Sequence, residues 1–158
     1  MSRILDNLVL ASSFEVMSYK LYEKSSIIIN AAIEVHIPSI PNLTVINLNW
    51  NDNPQQDINK DNLLLKLIQL MDSYICENKT VVVNCYAGIS RSSTIVIAYL
   101  IAKNKWSLEE SINFVKSRRI IVNPNDGFIN QLRNLQSTLL SYSKEVVNHF
   151  KCPPLFFN

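Results

Sequence analysis

The 158-residue sequence contains only two glycines, Gly88 and Gly127. Glycine takes left-handed backbone conformations that other residues avoid, and it lets a chain pass close to a ligand, so few positions here can serve either purpose. Gly88 lies in the stretch VVVNCYAGISRSS, between Cys85 and Arg91. This placement predicts a loop whose backbone adopts a conformation that a side chain would forbid.

The sequence also has little net charge. Its formal charge is +2 and its isoelectric point is near 8.4, without a long run of basic residues. Domains that bind nucleic acid usually carry a stronger basic patch, so we expect no nucleic-acid partner. Any recognition of an anion must therefore come from a local arrangement of residues.

Long apolar runs are absent as well. The longest apolar-rich run, residues 94–102, is too short to span a bilayer. The opening stretch MSRILDNLVL lacks the apolar core and the small-residue cleavage site of a signal peptide. We therefore expect no membrane span and a location in the cytosol or the nucleus.

Cysteine is scarce. Cys76, Cys85 and Cys152 form an odd set, and their spacing relative to His36 and His149 matches no zinc-binding pattern. These features indicate a reducing compartment and no structural metal. Cys76 and Cys152 are interpreted as small hydrophobic residues of the interior.

The length and composition of the chain indicate one domain. A chain of this length that is 47% hydrophobic can bury one sizeable core, and no repeat or linker marks a boundary within it. Short β-prone runs alternate with longer apolar patterns of helical spacing, which predicts an α/β fold. The predicted strands cover residues 7–12, 26–32, 43–50 and 79–85, the last of them central. The predicted helices cover residues 14–24, 63–77 and 92–105, a segment that begins after Ser107 with a capping box to Glu110, and a last segment that ends near Ser143.

A short loop, residues 86–90, leaves the predicted central strand and enters a helix. Such a loop presents unpaired backbone N–H groups at the positive end of the helix dipole, which attracts an anion such as phosphate. Arg91 adds a planar, permanently charged fork suited to two oxygens of one phosphoryl group. The candidate phosphate-binding residues are Tyr86, Ala87, Gly88, Ile89, Ser90 and Arg91.

Cys85 ends the predicted central strand, where the helix dipole and Arg91 favour its thiolate form. A thiolate can attack a phosphate ester in line and give a cysteinyl-phosphate intermediate, and the loop amides with Arg91 can stabilise the charge without a metal. The alternative for a cysteine at a strand end is a buried small hydrophobic residue. The combination of cysteine, glycine, arginine and two serines in one loop favours the nucleophile.

The segment from Cys85 to Arg91 matches the C-x5-R signature of cysteine-based phosphatases, and CYAGISRSS resembles the form found in dual-specificity protein phosphatases. The stretches NLVLASSFEV, IIINAA and SRRIIVNPNDGFINQL resemble other segments of that family, so the resemblance covers roughly residues 4–139. It implies a protein tyrosine phosphatase-like fold, a single α/β domain with a central mixed, mostly parallel sheet flanked by helices. Residues 1–145 would form the catalytic domain and residues 146–158 a short C-terminal tail.

The family also uses an aspartate upstream of the cysteine as general acid, and Asp52 in NWNDNPQQDI stands at the matching position. An acid placed to protonate the leaving oxygen is typically worth about 10²–10⁴-fold in rate. Asp57 and Asp61 are alternatives, although both lie closer to the following helix and could cap or charge its first turn.

The resemblance implies further roles around the loop. Ser92 matches a hydroxyl that stabilises the departing thiolate, and Asn125 matches an asparagine that braces the loop; the alternatives are a helix cap and a turn residue. Arg118 and Arg119 either favour acidic substrates or, as we expect, form a solvated helix end. Trp50 either borders the pocket or belongs to the core.

Two positions depart from the family pattern. Asn84 stands where the family usually has a histidine that orients the loop and helps to keep the sulfur ionised. Because an asparagine amide can still donate hydrogen bonds to backbone carbonyls, we expect Asn84 to support the loop in a slower but active enzyme. Ala11 replaces a family glycine after the first strand, with an expected effect on packing alone.

The resemblance implies an enzyme that acts on phosphotyrosine and on phosphoserine or phosphothreonine in phosphorylated protein substrates, without a cofactor. Asn84 motivates one alternative, a phosphate-binding pseudophosphatase that captures phosphoproteins with little turnover. A phosphatase for RNA 5′ ends or for inositol lipids is a third hypothesis, which the low charge and the absence of lysine from the loop disfavour.

Overall fold

The computed structural model describes residues 1–143, which form a five-stranded sheet with helices on both faces. The strands are β1 (Ser2–Leu5), β2 (Leu8–Ser12), β3 (Ile27–Ala32), β4 (Thr44–Trp50) and β5 (Val81–Cys85). The helices are α1 (Ser13–Ser18), α2 (Leu21–Lys24), α3 (Leu63–Cys76), α4 (Arg91–Asn104), α5 (Leu108–Arg118) and α6 (Asp126–Leu140), and a short 3-10 helix (Lys60–Asn62) precedes α3. The expected tail, residues 146–158, lies outside the described residues, as do His149 and Cys152.

The sheet has the strand order β1-β2-β5-β3-β4. Only β1 pairs in the antiparallel sense; β2, β5, β3 and β4 are parallel to one another. The prediction of a mixed, mostly parallel sheet with β5 in the middle is confirmed. Because parallel strands end at the same edge, Cys85 lies beside Ser12, and Asn84 lies beside Asn30.

The two faces of the sheet bury different apolar sets. Alternate residues of β2, β3 and β5 face the large core that α3, α4, α5 and α6 cover, and the others pack with α1 and α2. Residues 91–102 of α4 are all buried, which explains why this helix is apolar around its whole circumference. Among residues 1–143 no helix is long and apolar enough to cross a membrane.

Several boundaries differ from the predicted ones. The single helix expected over residues 14–24 is divided into α1 and α2 by Lys20, which has a left-handed φ of 48°. The edge strand β1 was not predicted, because four residues are too few to show a strand period. Cys76 ends α3 and is exposed, so its interpretation as an interior residue is wrong. The last helix ends at Leu140 rather than near Ser143.

Phe128 ties α6 to the end of β4. Its ring is fully buried, with its centroid 6.1 Å from that of Trp50. We expect Phe128→Ala to lower the free energy of unfolding by about 3–5 kcal/mol, because the lost ring leaves a cavity in a close-packed core. Urea unfolding followed by circular dichroism measures the loss. Phe14→Ala is the matched control, since Phe14 is 72% exposed; equal losses in the two variants would contradict this account.

Candidate active site

The loop between β5 and α4, residues 86–90, turns all of its carbonyl groups outward. Each carbonyl oxygen accepts a hydrogen bond from a neighbouring part of the fold: that of Tyr86 from Ser13, those of Ala87 and Gly88 from Arg119, that of Ile89 from Asn123, and that of Ser90 from Thr94. In contrast, the N–H groups of Ala87, Ile89 and Ser90 donate no hydrogen bond within residues 1–143. A loop with this polarity is an anion site, because successive free N–H groups line one concave side.

Gly88 makes this geometry accessible. Its φ is 68°, in the left-handed region, and a Cβ at this position would lie 2.8 Å from the carbonyl oxygen of Ala11 and 2.8 Å from Nη2 of Arg119. The prediction of a conformation reserved for glycine is confirmed. Ala11 thus contributes to the site through its backbone as well as to packing.

The sulfur of Cys85 lies at the floor of the loop. The residue is only 1% exposed, yet its Sγ accepts the N–H of Gly88 at 3.3 Å and lies 3.1 Å from Oγ of Ser92. Ser92 is fully buried in the first turn of α4, and its hydroxyl contacts the sulfur instead of capping the helix. The burial of Cys85 is therefore not that of a residue surrounded only by hydrocarbon.

The guanidinium of Arg91 is paired with a carboxylate that sequence reasoning missed. Nη1 and Nη2 donate to the two oxygens of Glu34 at 2.7 and 2.6 Å, and Nη1 also donates to the carbonyl of Trp50 at 3.1 Å. Burial lowers the pKa of Arg91, but the hydrogen bond with Glu34 and the nearby Cys85, Glu34 and Asp52 side chains together outweigh it, and the pKa is raised. The hydrogen bond from Arg91 in turn lowers the pKa of Glu34. The two terminal nitrogens of Arg91, which the sequence predicted to bind phosphate, thus bind the carboxylate of Glu34.

Two donors of Arg91 remain. Of the five guanidinium N–H groups, the contacts with Glu34 and Trp50 use three, which leaves Nε–H and one N–H of Nη2 on the same edge. Nε makes no hydrogen bond within residues 1–143 and lies 3.7 Å from Oδ2 of Asp52. The side edge of Arg91, rather than its tip, is therefore the part available to an oxyanion.

Asp52 contacts this loop, whereas Asp57 and Asp61, the two alternatives for the general acid, do not. Its Oδ1 accepts hydrogen bonds from Oγ of Ser90 at 2.7 Å and from Nδ2 of Asn125 at 2.9 Å. Asp57 instead accepts the N–H of Asn59 at 2.9 Å, and Asp61 lies within the 3-10 helix before α3. Among the described residues, only Asp52 of these three carboxylates contacts the loop.

Contacts with helix α6 hold in place the segment after β4 that contains Asp52. Gln131 accepts the N–H of Ile58 at 3.0 Å and donates to the carbonyl of Gln56 at 2.9 Å. Gly127 allows the close approach, because a Cβ there would lie 2.1 Å from the carbonyl oxygen of Pro54. The second of the two glycines in the sequence thus serves the same site as the first.

Asn125 combines the two roles that were weighed for it. Its side-chain oxygen accepts the N–H of Phe128 at 3.0 Å and caps α6, while its own N–H donates to Oγ of Ser90 at 3.2 Å. Through Ser90 and Asp52 it joins the loop to the acid segment. Trp50 is 2% exposed and belongs to the core, with only its carbonyl engaged at the site.

Asn84 supports the site in a different way from the one expected. Its Nδ2 donates to Oδ1 of Asn30 at 3.2 Å and not to a carbonyl of the loop. Asn30 in turn donates to the carbonyl of Val35 at 2.8 Å and to Oδ1 of Asn47 at 2.9 Å. This set of amides, in which Asn30 and Asn84 are buried and Asn47 is exposed, links β5 to the segment after β3 that carries Glu34, the partner of Arg91.

Arg119 is not part of a solvated helix end, so that interpretation is wrong for this residue. It is 9% exposed, and its Nε and Nη2 donate to the carbonyls of Gly88 and Ala87 at 2.9 and 3.2 Å. Glu15 balances its charge, with Oε1 3.1 Å from Nη1 and Oε2 3.0 Å from Nη2. Arg118 does face solvent, and its guanidinium lies 5.3 Å from the ring centroid of Phe114.

Three residues that support the site were not predicted from the sequence. They are Glu34, which binds Arg91, Arg119, which binds the loop carbonyls, and Glu15, which binds Arg119. The pattern Ser12-x-x-Glu15 signals a capping box, which the structure contains, and would have placed the start of α1 correctly. No local pattern reveals that Glu15 meets Arg119, 104 residues later, or that Glu34 meets Arg91, 57 residues later.

Residues 11–138 match the sequence family described as the dual specificity phosphatase catalytic domain. The chain is 33% identical over 150 residues to human dual specificity protein phosphatase 16, an alignment that covers 93% of this chain and 21% of that protein. It is 40% identical over 94 residues to the tyrosine phosphatase candidate 123R of Invertebrate iridescent virus 6, covering 60% of this chain and 65% of that protein. The chain thus spans less than two thirds of the length of these curated relatives.

The fold is similar to solved structures of the same family. The crystal structure of DUSP15 has a TM-score of 0.82 at 24% identity, covering 95% of this chain and 96% of that one. The crystal structure of human DUSP28 has a TM-score of 0.79 at 23% identity, covering 90% of this chain and all of that one (100%). These similarities confirm the expected protein tyrosine phosphatase-like fold.

The contact between Glu15 and Arg119 makes stability depend on pH. Burial of the carboxyl opposes its charge, but hydrogen bonds from Arg119, from the terminal amine of Met1 and from Ser12 together lower the pKa of Glu15 from 4.5 to about 2. The stabilisation is fully present above about pH 4.5 and is lost as the pH falls towards 2. We expect Glu15→Gln to be less stable than wild type at neutral pH by at most about 3 kcal/mol, with a difference that shrinks in acid.

Urea unfolding at about pH 7, 4 and 2.5 measures this difference. Glu109→Gln, at an exposed glutamate in the first turn of α5, is the control for loss of one carboxylate. A Glu15→Gln deficit that stays constant over the whole range would show that charge is not its cause.

Proposed function

Because the chain belongs to the dual-specificity phosphatase catalytic-domain family, we propose that it is a cysteine-dependent phosphoprotein phosphatase that hydrolyses phosphotyrosine and phosphoserine or phosphothreonine esters. The observation that carries the proposal is the polarity of the loop around Cys85, with all five carbonyls of residues 86–90 bound outward and free N–H groups inward. Such a cradle stabilises the equatorial oxygens of a phosphoryl group during transfer.

In the first step the Cys85 thiolate attacks phosphorus, the S–P bond forms, and the bond from phosphorus to the ester oxygen breaks. The loop N–H groups and the side edge of Arg91 hold the phosphoryl oxygens. Asp52 gives a proton to the leaving oxygen. Because Oδ1 of Asp52 already accepts two hydrogen bonds, Oδ2, which faces the free edge of Arg91, is the oxygen that carries this proton.

In the second step a water molecule attacks phosphorus of the cysteinyl phosphate and releases inorganic phosphate. Asp52, now ionised, takes a proton from that water, in accordance with microscopic reversibility. As the S–P bond breaks, negative charge returns to the sulfur. The hydroxyl of Ser92, 3.1 Å from Sγ, donates a hydrogen bond to it and stabilises the departing thiolate.

The arrangement supports turnover rather than capture of phosphoproteins. A binding module would need the cradle alone, whereas here Asp52 is also held beside the loop by Ser90 and Asn125. The buried amides around Asn84 give the segment of Glu34 a defined position without the usual histidine. The requirement for a free thiolate at Cys85 supports the proposal of a reducing compartment, the cytosol or the nucleus.

Replacement of the nucleophile tests the proposal directly. We expect the purified protein to hydrolyse an aryl phosphate and phosphopeptides, and Cys85→Ser to reduce both rates to background, because a hydroxyl at that position is a far weaker nucleophile. Release of inorganic phosphate measures both activities. Cys76→Ser, at the exposed end of α3, is the matched control and should keep the wild-type rate. Wild-type protein without turnover, or an active Cys85→Ser protein, would refute the proposal.

The role of Asp52 has a separate test. We expect Asp52→Asn to lower kcat for phenyl phosphate by about 10²–10⁴-fold with little change in KM, because the acid acts on the leaving oxygen and not on binding. With p-nitrophenyl phosphate, whose leaving group departs readily as an anion, the loss should be much smaller. Asp57→Asn is the control. Equal losses with the two substrates would remove Asp52 from proton transfer.

A further inference from the structure

A groove of about 750 Å³ adjoins the outer side of the phosphate loop. It runs between the start of α1, the loop residues Tyr86 and Ala87, and the segment after α5. Ser13 fixes α1 against the loop, since its N–H and its hydroxyl both lie 3.0 Å from the carbonyl oxygen of Tyr86. The groove therefore shares Tyr86 and Ala87 with the loop that would hold the phosphoryl group.

The rim of the groove is apolar and unusually exposed. Eight large hydrophobic side chains of the described residues are exposed, and five of them line this groove. These five are Phe14 at 72%, Met17 at 44%, Tyr19 at 54%, Tyr86 at 63% and Ile121 at 49%. Concentration of exposed apolar side chains in one concave surface is typical of a binding site rather than of ordinary protein surface.

The charges of the groove are already neutralised. Among residues 1–143, the only charged residues that line it are Glu15 and Arg119. Arg119 is held by the carbonyls of Ala87 and Gly88 and by both oxygens of Glu15, and Glu15 also accepts the N–H of Ser12 at 2.7 Å. A second phosphate or an acidic side chain would have to break this pair, whereas an apolar side chain would not.

We propose that this groove binds an uncharged, apolar residue that flanks the phosphorylated residue of a protein substrate. The proposal rests on the proposed phosphatase function and specifies its substrates. A substrate whose phosphoryl group lies in the loop must place its neighbouring residues beside Tyr86 and Ala87 on one side. Contact with Phe14 and Met17 there would favour apolar sequences and disfavour doubly phosphorylated ones.

A set of phosphotyrosine peptides tests this preference. Leucine is placed in turn at each of the three positions before and after the phosphotyrosine, and glutamate or phosphothreonine at the same positions. We expect leucine at one or more positions on one side to raise kcat/KM by about tenfold over glutamate, as burial of an aliphatic side chain should. No preference for leucine at any position, or a preference for phosphothreonine, would overturn the proposal.

Phe14→Ser locates the preference in the groove. The ratio of kcat/KM for the leucine and glutamate peptides should fall towards one in this variant. The rate of aryl phosphate hydrolysis, measured in parallel, shows whether the catalytic loop itself is affected. Ile33→Ser is the matched control, because Ile33 is 54% exposed, like Tyr19, but lies outside the groove; it should keep the wild-type ratio. A ratio that survives Phe14→Ser would overturn the assignment.

Binding measurements separate this proposal from the phosphatase function. If wild-type protein lacks turnover, the phosphatase proposal fails, and the groove is then tested by the affinities of Cys85→Ser for the same peptides, where the leucine peptide should bind about tenfold more tightly. Analytical ultracentrifugation of the wild-type protein and of Phe14→Ser tests whether a second copy of the chain occupies the groove instead. A wild-type dimer that Phe14→Ser dissociates would assign the groove to a second copy of the chain and overturn the proposal.

Discussion

The outward orientation of the loop carbonyls is the constraint on which the rest of the site depends. A peptide group that turns its oxygen out turns its N–H in, so hydrogen bonds on the outer surface decide what the inner surface can bind. Arg119 fixes two of these peptide groups, and Ser13 fixes a third. Gly88 is needed because its φ is left-handed and because the loop passes so close to the backbone of Ala11 that a Cβ would not fit.

Two ion pairs support the site, one between Glu15 and Arg119 and one between Glu34 and Arg91. Glu15 forms an ion pair with Arg119, which braces the loop as part of a charge-balanced pair and adds no net charge to the adjoining groove. Glu34 binds the tip of Arg91, whose side edge lies beside Asp52. A buried arginine without such a partner would be costly, so each carboxylate is part of the stability as well as of the chemistry.

Asn84 lies where the family usually has a histidine, and its side chain donates to another amide, that of Asn30. The amide of Asn84 contacts Asn30, whose own bonds hold the segment of Glu34 and reach Asn47, so the strands β5, β3 and β4 share one polar network that is buried at Asn84 and Asn30. Oδ1 of Asn84 makes no hydrogen bond within residues 1–143, so this network is only partly satisfied. Both glycines of the chain lie at this same end of the sheet, where Gly88 admits Arg119 and Gly127 admits Pro54.

The sequence by itself determined the alternation of strands and helices, the central strand, and the stretch from Cys85 to Ser92, because these features repeat at short range or occur within one loop. It also indicated Asp52 as the general acid and Asn125 as a brace of the loop, but only through a resemblance. Asp57 and Asp61 were alternatives for the acid, and a turn residue was the alternative for Asn125. Only the tertiary structure decided that Glu34 holds Arg91 and that Glu15 holds Arg119, across 57 and 104 residues. Pairing over such distances follows from strand order and helix packing, which place the carboxyl ends of β2, β3 and β5 together; no local pattern carries that information.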